Sequence, residues 1–241
     1  MLSFSTLTDP QRPLSVIALT GSDGSGKSTL TEGLVTHLRQ QMPTESLYLG
    51  QSSGRIAEWI ATLPLVGPAF NRYLVGKSDK VHAQPSKPPG NVTALVIYLL
   101  SQWRAHKFRR MLAKCHRGTL IIADRYPQAE VPGFRFDGPQ LSKTEGGNWW
   151  VRRLRDSEQR LYTWMATHLP MLVIRLNVDA ETAHARKPDH AIEALREKVR
   201  VIPTLRFNGA RILDLDGRGD AGSVLQAALR GVHDAMHGVH A

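Results

Sequence analysis

A glycine-rich stretch near the start of the chain has the residue types and spacing of a phosphate-binding loop. Residues 21–29, called the phosphate loop below, read G-S-D-G-S-G-K-S-T and fit the pattern G-x-x-x-x-G-K-[ST] in full. In such a loop, backbone N–H groups turn inward around phosphate oxygens, and the dipole of the following helix adds positive charge. The residues predicted to bind a nucleoside triphosphate are Gly21, Gly24, Ser25, Gly26, Lys27, Ser28 and Thr29.

Lys27 and Ser28 have specific tasks within this pattern. The Lys27 amine reaches the β- and γ-phosphates, and the Ser28 hydroxyl binds Mg²⁺. A tight glycine-rich turn without a ligand is the alternative. We favour a nucleoside triphosphate with Mg²⁺, because the pattern directly follows a predicted strand at residues 15–20 and opens a predicted helix.

A second set of polar residues follows the apolar run at residues 119–123. Asp124 stands at its carboxyl end, where an acid can hold the water shell of Mg²⁺ beside a phosphate loop. No second acid follows Asp124, although motor ATPases typically place a glutamate there, and the sequence has no N-K-x-D motif for guanine. Both absences argue against a motor or a GTP switch and favour phosphoryl transfer to a small acceptor.

Short apolar runs that alternate with helical stretches must position these residues. The alternation predicts an α/β architecture with a mostly parallel, doubly wound sheet. The predicted strands are residues 15–20, 46–49, 119–123, 171–178 and 211–215. Two stretches interrupt the pattern, an irregular basic insertion at residues 64–90 and a loop at residues 127–150, and loops this long in a compact domain are usually functional or mobile.

Apolar residues at helical spacing predict three helices between the strands. The first helix carries its apolar stripe on Val92, Leu95, Val96, Leu99 and Trp103, which places Trp103 in the core. The second runs past Leu154 and Met165 and ends near Pro170. The third begins just after Pro188, with Asp189 as its expected N-cap.

Composition and charge narrow the class of protein. The chain of 241 residues is 41% apolar and contains one cysteine, Cys115, which excludes an intrachain disulfide framework and a cysteine-cluster zinc site. The net charge is +10, and residues 101–160 hold 13 basic and 6 acidic side chains, a bias that attracts anions. The sequence shows no signal-peptide pattern and no apolar run of membrane length, so we expect a cytoplasmic protein without a membrane segment.

Taken together, the motifs resemble those of thymidylate kinases and their relatives among the P-loop nucleoside monophosphate kinases. The matching segments are the phosphate loop, D-R-Y at residues 124–126, Arg104 in the long helix, and the basic segment E-T-A-H-A-R-K-P-D-H at residues 181–190. The resemblance implies a three-layer P-loop kinase fold, in which helices flank a five-stranded parallel sheet. It also implies a single domain over residues 1–241, with a small helical lid at residues 180–202.

The resemblance further implies roles for individual residues. ATP would be the donor, and the acceptor would be a nucleoside monophosphate, with dTMP the leading candidate. The catalytic residues would be Lys27, Asp124, Arg186 and Lys187, the last two closing over the transferring group, with Mg²⁺ on Ser28 and Asp124. The acceptor-binding residues would be Asp23, Arg55, Arg104, Arg125 and Tyr126. The family also places a loop beside the donor base where this chain has Asp214, Asp216 and Gly217, and its members are commonly homodimers.

The acceptor side departs from the family pattern, so two further hypotheses stay open. Residues 50–55 read G-Q-S-S-G-R instead of an R-E-P-G-like phosphate loop, and D-R-Y is followed by P-Q-A-E instead of a serine. One alternative acceptor is a nucleoside, sugar or other hydroxyl compound, with Asp23 or Asp137 as the base.

The other hypothesis is a nucleotide-binding or nucleic-acid-associated protein without efficient transfer. The pair Trp149–Trp150 stands just before Arg152, Arg153 and Arg155, and aromatic and basic residues together can grip a single strand. We favour a solvated helix face for this segment, because no recognised nucleic-acid fold signature accompanies it.

Overall fold

The computed structural model describes residues 13–51, 89–143 and 146–238. The chain folds as an α/β protein around a five-stranded, all-parallel sheet with strand order β2-β3-β1-β4-β5. The strands are β1 (Leu14–Gly21), β2 (Thr44–Tyr48), β3 (Leu120–Asp124), β4 (Pro170–Asn177) and β5 (Ile212–Asp216). All five predicted strands are therefore confirmed. Arg55 and residues 64–88 of the predicted insertion lie outside the described residues.

Helices cover both faces of the sheet and make the three layers expected of a P-loop kinase-like fold. The described helices are α1 (Lys27–Leu38), α2 (Asn91–His116), α3 (Trp149–Ala166), α4 (Ala180–Arg186), α5 (Ile192–Val201) and α6 (Ala221–Met236). Successive side chains of a strand point to opposite faces. On β1, Val16 and Ala18 accordingly pack in the core beneath α2 and α3, while Ile17 and Leu19 pack in the core beneath α1 and α6. Among the described helices, none is both long and apolar enough to span a membrane.

The buried face of α2 differs from the predicted stripe. Val92 and Leu99 are exposed, and Trp103 is only half-buried and stacks on His106. Val96 of the predicted stripe is buried, but the buried face as a whole runs through Ala94, Val96, Ile97, Leu100, Ser101, Arg104, Ala105, Phe108 and Met111. The prediction was wrong in part, because this face contains a serine and an arginine, which hydrophobic spacing does not count. Both residues are buried because other side chains satisfy their polar groups.

The predicted lid at residues 180–202 consists of two short helices, α4 and α5. Helix α4 has a side-chain cap, since the Asp179 carboxylate accepts a hydrogen bond from the Thr182 backbone N–H at 2.7 Å. The expected cap of α5 was wrong: the helix begins at Ile192 after Ala191, and Asp189 lies three residues before its first turn. Leu195 is buried against Ala183 and Val178, so the two helices share a small core of their own.

The parallel sheet brings the carboxyl ends of β1 and β3 together. Leu19 of β1 pairs with Asp124 of β3 in the register, and Gly21 begins the phosphate loop just beyond. Connections from β1 and β3 leave to opposite faces of the sheet, because α1, which follows β1, and α3, which follows β3, lie on different sides. Ligands bind at such switch points in open α/β sheets.

Candidate functional site

The phosphate loop has the backbone geometry that its glycines predict. Gly24 and Gly26 have φ angles of 80° and 95°, a region that residues with a side chain rarely adopt. A Cβ atom on Gly24 would lie 2.5 Å from the Ala183 carbonyl oxygen, so glycine also lets α4 approach the loop. Gly26 caps the N-terminus of α1, and the first backbone N–H groups of this helix are therefore available to an anion.

Lys27 curls back over the loop that precedes it. Its amine donates hydrogen bonds to the carbonyl oxygens of Gly21 at 2.8 Å and Ser22 at 2.7 Å. Burial lowers the pKa of this amine to about 8, with the carboxylates of Asp23 and Asp124 opposing the shift. The amine is therefore mostly charged at pH 7 and is held in place beside the loop.

Several buried polar atoms around Lys27 lack a partner among the described residues. They are the Oδ1 atom of Asp124 and the hydroxyl oxygens of Ser22 and Ser25. Buried polar atoms without partners are rare in native proteins and commonly mark a ligand or ion site. Burial also raises the pKa of Asp124, while the charges of Lys27 and Arg125 counteract it. The serine hydroxyls fit phosphate oxygens, and the Asp124 carboxylate fits a cation.

The donor set fits Mg²⁺ rather than a metal enclosed by protein ligands. No group of three or more histidine, cysteine, aspartate or glutamate side chains in the described part of the chain is arranged to hold a metal ion. Mg²⁺ normally takes one or two protein ligands together with water and substrate phosphates. Ser28, exposed at the first turn of α1, and the orphaned oxygen of Asp124 meet that requirement.

Arg125 lies between two carboxylates at the carboxyl end of β3. Its guanidinium nitrogens are 3.6 Å from Oδ1 of Asp23 and 3.9 Å from Oδ1 of Asp137. Arg125 and Asp137 both have positive φ angles, 60° and 62°, which cost free energy in residues other than glycine. The surrounding contacts hold both residues in this conformation and direct their side chains to one cleft.

Arg104 supports this arrangement from behind instead of lining the cleft. The side chain is 2% exposed, and one guanidinium nitrogen is 3.1 Å from Oδ1 of Asp137. The same nitrogen donates to the backbone carbonyl of Arg125, and the other donates to the Tyr162 hydroxyl at 3.4 Å. In the structure, Arg104 therefore positions Arg125 and Asp137, whereas the sequence predicted direct contact with the acceptor.

Tyr126, the third residue of D-R-Y, faces the core. It is buried, its ring packs edge-on against Phe108 at a centroid distance of 5.6 Å, and its hydroxyl donates to the His168 carbonyl. Its side chain therefore points away from the cleft. The structure brings together Asp23, Asp124 and Arg125 at the cleft, and leaves Tyr126 outside it.

The predicted lid cations differ in their surroundings. Arg186, at the end of α4, donates to the Gly217 carbonyl at 2.8 Å and to the Gly24 carbonyl at 3.3 Å, so it touches the rim of the phosphate loop. Lys187 follows it and is exposed. Gly217 itself lies close to the phosphate loop, since a Cβ atom there would be 2.7 Å from the Ser25 carbonyl oxygen.

The loop after β5 forms a shallow pocket near the rim of the phosphate loop. Its lining includes Asn177, Asp179, Asp216 and Arg218. Asp214 is held by Arg175, whose guanidinium makes two hydrogen bonds to the carboxylate at 2.6 and 2.8 Å. Of the residues predicted to lie beside the donor base, Asp214 and Asp216 both line this pocket, and Gly217 lies against the phosphate loop.

Two full-length relatives match the chain. It is 63% identical over 224 residues to "Uncharacterized ATP-binding protein YghS" of Escherichia coli (strain K12), a match that covers 93% of this chain and 94% of that protein. It is 39% identical over 227 residues to "Uncharacterized ATP-binding protein YghR" of the same strain, covering 94% of this chain and 90% of that protein. No protein-family model matches the chain. The chain belongs to the family of YghS and YghR.

YghS and YghR are named as ATP-binding proteins, which agrees with the predicted binding of a nucleoside triphosphate. Their names carry no kinase activity, so membership of the thymidylate kinases stays a prediction.

Lys198 lies in the cleft, and the motifs in the sequence did not predict it as a site residue. It lies on α5, its amine contacts Oδ2 of Asp23, and its side chain is 11% exposed. Burial raises the pKa of Asp23, but Lys198, Lys27 and Arg125 outweigh it and hold that pKa well below its usual range. The signal was present in the sequence, because Lys198 stands three residues after the buried Leu195 and therefore shares the inward face of the helix.

The cleft is narrow because charged residues from four segments close around it. Its charged lining residues are Asp23, Lys27, Asp124, Arg125, Arg135, Asp137 and Lys198. The space among them is about 20 Å³, which is room for about one water molecule. The guanidinium of Arg135, in the loop at residues 127–150, also lies 2.6 Å from the Glu197 carboxylate of α5. A substrate therefore fits the cleft only when the residues that line it move apart.

Proposed function

We propose that the protein is an ATP- and Mg²⁺-dependent phosphotransferase that acts on a small acceptor. The observation that carries the proposal is the buried Oδ1 atom of Asp124, which has no hydrogen-bond partner among the described residues and lies beside a complete phosphate loop and its lysine. This combination gives triphosphate oxygens, a cation site and a compensating amine in one place. The printed names of YghS and YghR as ATP-binding proteins support ATP as the donor.

Phosphoryl transfer requires positive charge around the transferring group more than it requires covalent chemistry. Lys27 and the N-terminus of α1 would hold the β- and γ-phosphates, with the serine hydroxyls of the loop on their oxygens. Mg²⁺ on Ser28 and Asp124 would neutralise the charge of the phosphates when bound. The Lys27 amine already lies over the loop, and on binding of the donor it would exchange the carbonyl oxygens of Gly21 and Ser22 for phosphate oxygens.

A cation must also come from outside the loop, because the loop itself contains no arginine. Lys198 is the candidate that the geometry favours. It lies in the same cleft as Lys27 and Arg125, and it belongs to α5, a helix of the predicted lid. Arg186 is a second candidate at the rim. When α5 moves to admit a substrate, Lys198 would exchange the Asp23 carboxylate for the transferring group.

dTMP is the acceptor that the resemblance to thymidylate kinases indicates, and it stays a prediction. Asp23 and Arg125 line the cleft as that hypothesis requires. Against it, Arg104 is buried behind Arg125, and Tyr126 packs in the core. The support for the donor is thus stronger than the support for this acceptor.

The proposal is tested by measuring ADP release from Mg-ATP with and without small acceptors. The acceptors are dTMP, dUMP, UMP, CMP, thymidine and several sugars, and ATP affinity is measured separately by calorimetry. We expect ATP to bind and at least one acceptor to raise the rate of ADP release, and Lys27→Ala to remove that increase. Arg230→Ala, an exposed change on α6, serves as the control.

Two results would contradict the proposal. One is the absence of measurable ATP binding by the folded protein. The other is a rate of ADP release that is the same for Lys27→Ala and the wild-type chain, because the phosphate loop would then take no part in the reaction.

A further inference from the structure

The cations on the acceptor side of the cleft already contact carboxylates. Arg125 lies between Asp23 and Asp137, and Lys198 contacts Asp23. Arg135 pairs with Glu197 at 2.6 Å. Within the described residues, the acceptor side therefore presents ion pairs, whereas binding a dianionic phosphate usually requires cations with charge to spare.

An acceptor phosphate would have to break these pairs to reach Arg125. It would approach the carboxylates of Asp23 and Asp137, and like charges in a partly buried site repel strongly. A neutral acceptor meets no such repulsion. Its hydroxyl group can instead donate a hydrogen bond to a carboxylate oxygen, which is an acceptor only.

Asp137 has a carboxylate oxygen that can accept a hydrogen bond from such a hydroxyl group. Its Oδ1 atom takes the contacts with Arg104 at 3.1 Å and Arg125 at 3.9 Å. Its Oδ2 atom accepts no hydrogen bond from the described residues, and the side chain lines the cleft and is 20% exposed. In Asp23, by contrast, Oδ1 faces Arg125 and Oδ2 faces Lys198.

The backbone around Asp137 is held firmly in place. Asp137 follows the short turn Phe134–Phe136 with a left-handed φ of 62°. A Cβ atom on the next residue, Gly138, would lie 2.0 Å from the Val131 carbonyl, so this loop packs closely on itself. The Gln128 side chain joins the two ends of the loop, donating to the carbonyls of Val131 and Phe136 at 2.6 and 2.9 Å.

We infer that the acceptor carries a hydroxyl nucleophile and that Asp137 is its general base. The inference rests on the phosphotransfer proposed above and names its acceptor class. The hydroxyl proton moves to Oδ2 of Asp137 as the acceptor oxygen forms a bond to the γ-phosphorus. The bond between that phosphorus and the β,γ-bridging oxygen breaks, ADP leaves with the electron pair, and Asp137 later releases the proton to water. The products are ADP and a phosphate monoester, or ADP and inorganic phosphate where water is the acceptor.

The experiment compares acceptors that differ only by a phosphate group. ADP release is measured with thymidine and dTMP, with uridine and UMP, with several sugars, and with water alone, which is the smallest hydroxyl acceptor. Each is repeated with Asp137→Asn, and with Asp156→Asn as the matched control, since Asp156 is exposed on α3 outside the cleft. ATP affinity and thermal unfolding are recorded for every variant, so that loss of folding or of donor binding is recognised.

The expected result is that hydroxyl acceptors, or water alone, support turnover and that Asp137→Asn lowers this rate about 100-fold or more. ATP affinity should change little in the same variant, and Asp156→Asn should match the wild type. Two results overturn the inference but leave the phosphotransfer intact. One is turnover with a monophosphate and none with its nucleoside; the other is a rate of hydroxyl transfer or hydrolysis that Asp137→Asn does not alter. A wild-type protein that releases no ADP under any condition overturns the proposed function itself.

Discussion

The two halves of the cleft are built in different ways. The donor half is the backbone of the consecutive residues 21–29, whose geometry is ready for phosphate, together with the hydroxyls of Ser22 and Ser25, which have no partner among the described residues. The acceptor half consists of side chains from distant parts of the chain, and their charges satisfy one another. A site whose polar groups lack partners is ready for a ligand, whereas a site of internal ion pairs must be opened first.

This difference explains why the donor can be named more firmly than the acceptor. A buried polar atom without a partner among the described residues indicates the kind of ligand that it binds. Asp124 Oδ1 requires a cation, and the Ser25 hydroxyl requires a hydrogen-bond partner. Paired groups such as Arg125 and Asp137 already satisfy each other, so they do not indicate which ligand binds beside them. The following predictions test the contrast between a prepared donor half and a self-paired acceptor half.

The largest effect is expected from the donor half. Lys27→Ala removes the amine that lies over the phosphate loop, and we expect ADP release to fall roughly 1000-fold, because positioned cations contribute that much to phosphoryl transfer. Burying an amine also costs free energy, so the variant should unfold at the same temperature as the wild type or higher. A variant that lost activity only because it failed to fold would contradict this prediction.

The second prediction concerns the arginine behind the acceptor half. Arg104→Met leaves Asp137 and the Arg125 carbonyl without their buried partner, and we expect the free energy of unfolding to fall by about 3 kcal/mol. Chemical denaturation measures it. Arg110→Met is the control, because Arg110 is an exposed residue of the same helix. If Arg104 instead served only to bind the acceptor, the two variants would have equal stability.

The third prediction separates two cations of the lid. We expect Lys198→Ala to lower the turnover rate about 100-fold, since Lys198 lines the cleft. Lys187→Ala should have a much smaller effect, because Lys187 is exposed. Steady-state ADP release at saturating ATP measures both. The reverse order would restore the assignment that the sequence predicted.

The smallest effect is a pH dependence of the donor half. The pKa of Lys27 is lowered to about 8, so the free protein loses this positive charge as the pH rises through that value. ATP affinity should therefore weaken roughly tenfold between pH 7 and pH 9. Lys27→Arg should abolish the dependence, because a guanidinium stays charged throughout. Calorimetric titrations at several pH values measure it, and an unchanged dependence in Lys27→Arg would assign it to another group.

The fold and the donor half could be predicted because their signals are local. Five apolar runs predicted five strands, and one motif predicted the phosphate loop. The acceptor half depends on contacts between distant positions, such as Lys198 with Asp23 and Arg104 with Asp137. The periodicity of apolar residues along the sequence does not predict such ion pairs. The exposed Leu99 and the buried Arg104 show the limit, because the hydrophobic spacing of α2 identified only part of the buried face of the helix.

Phosphorus NMR of the reaction products is the most direct test of the contrast between the two halves. The protein is incubated with Mg-ATP and matched acceptors such as thymidine and dTMP, and the position of the γ-phosphorus is followed. We predict a new monoester resonance that appears together with ADP and is absent with Lys27→Ala. A new diphosphate resonance formed from a monophosphate would contradict the account, because the ion pairs of the acceptor half would then yield to a phosphate group.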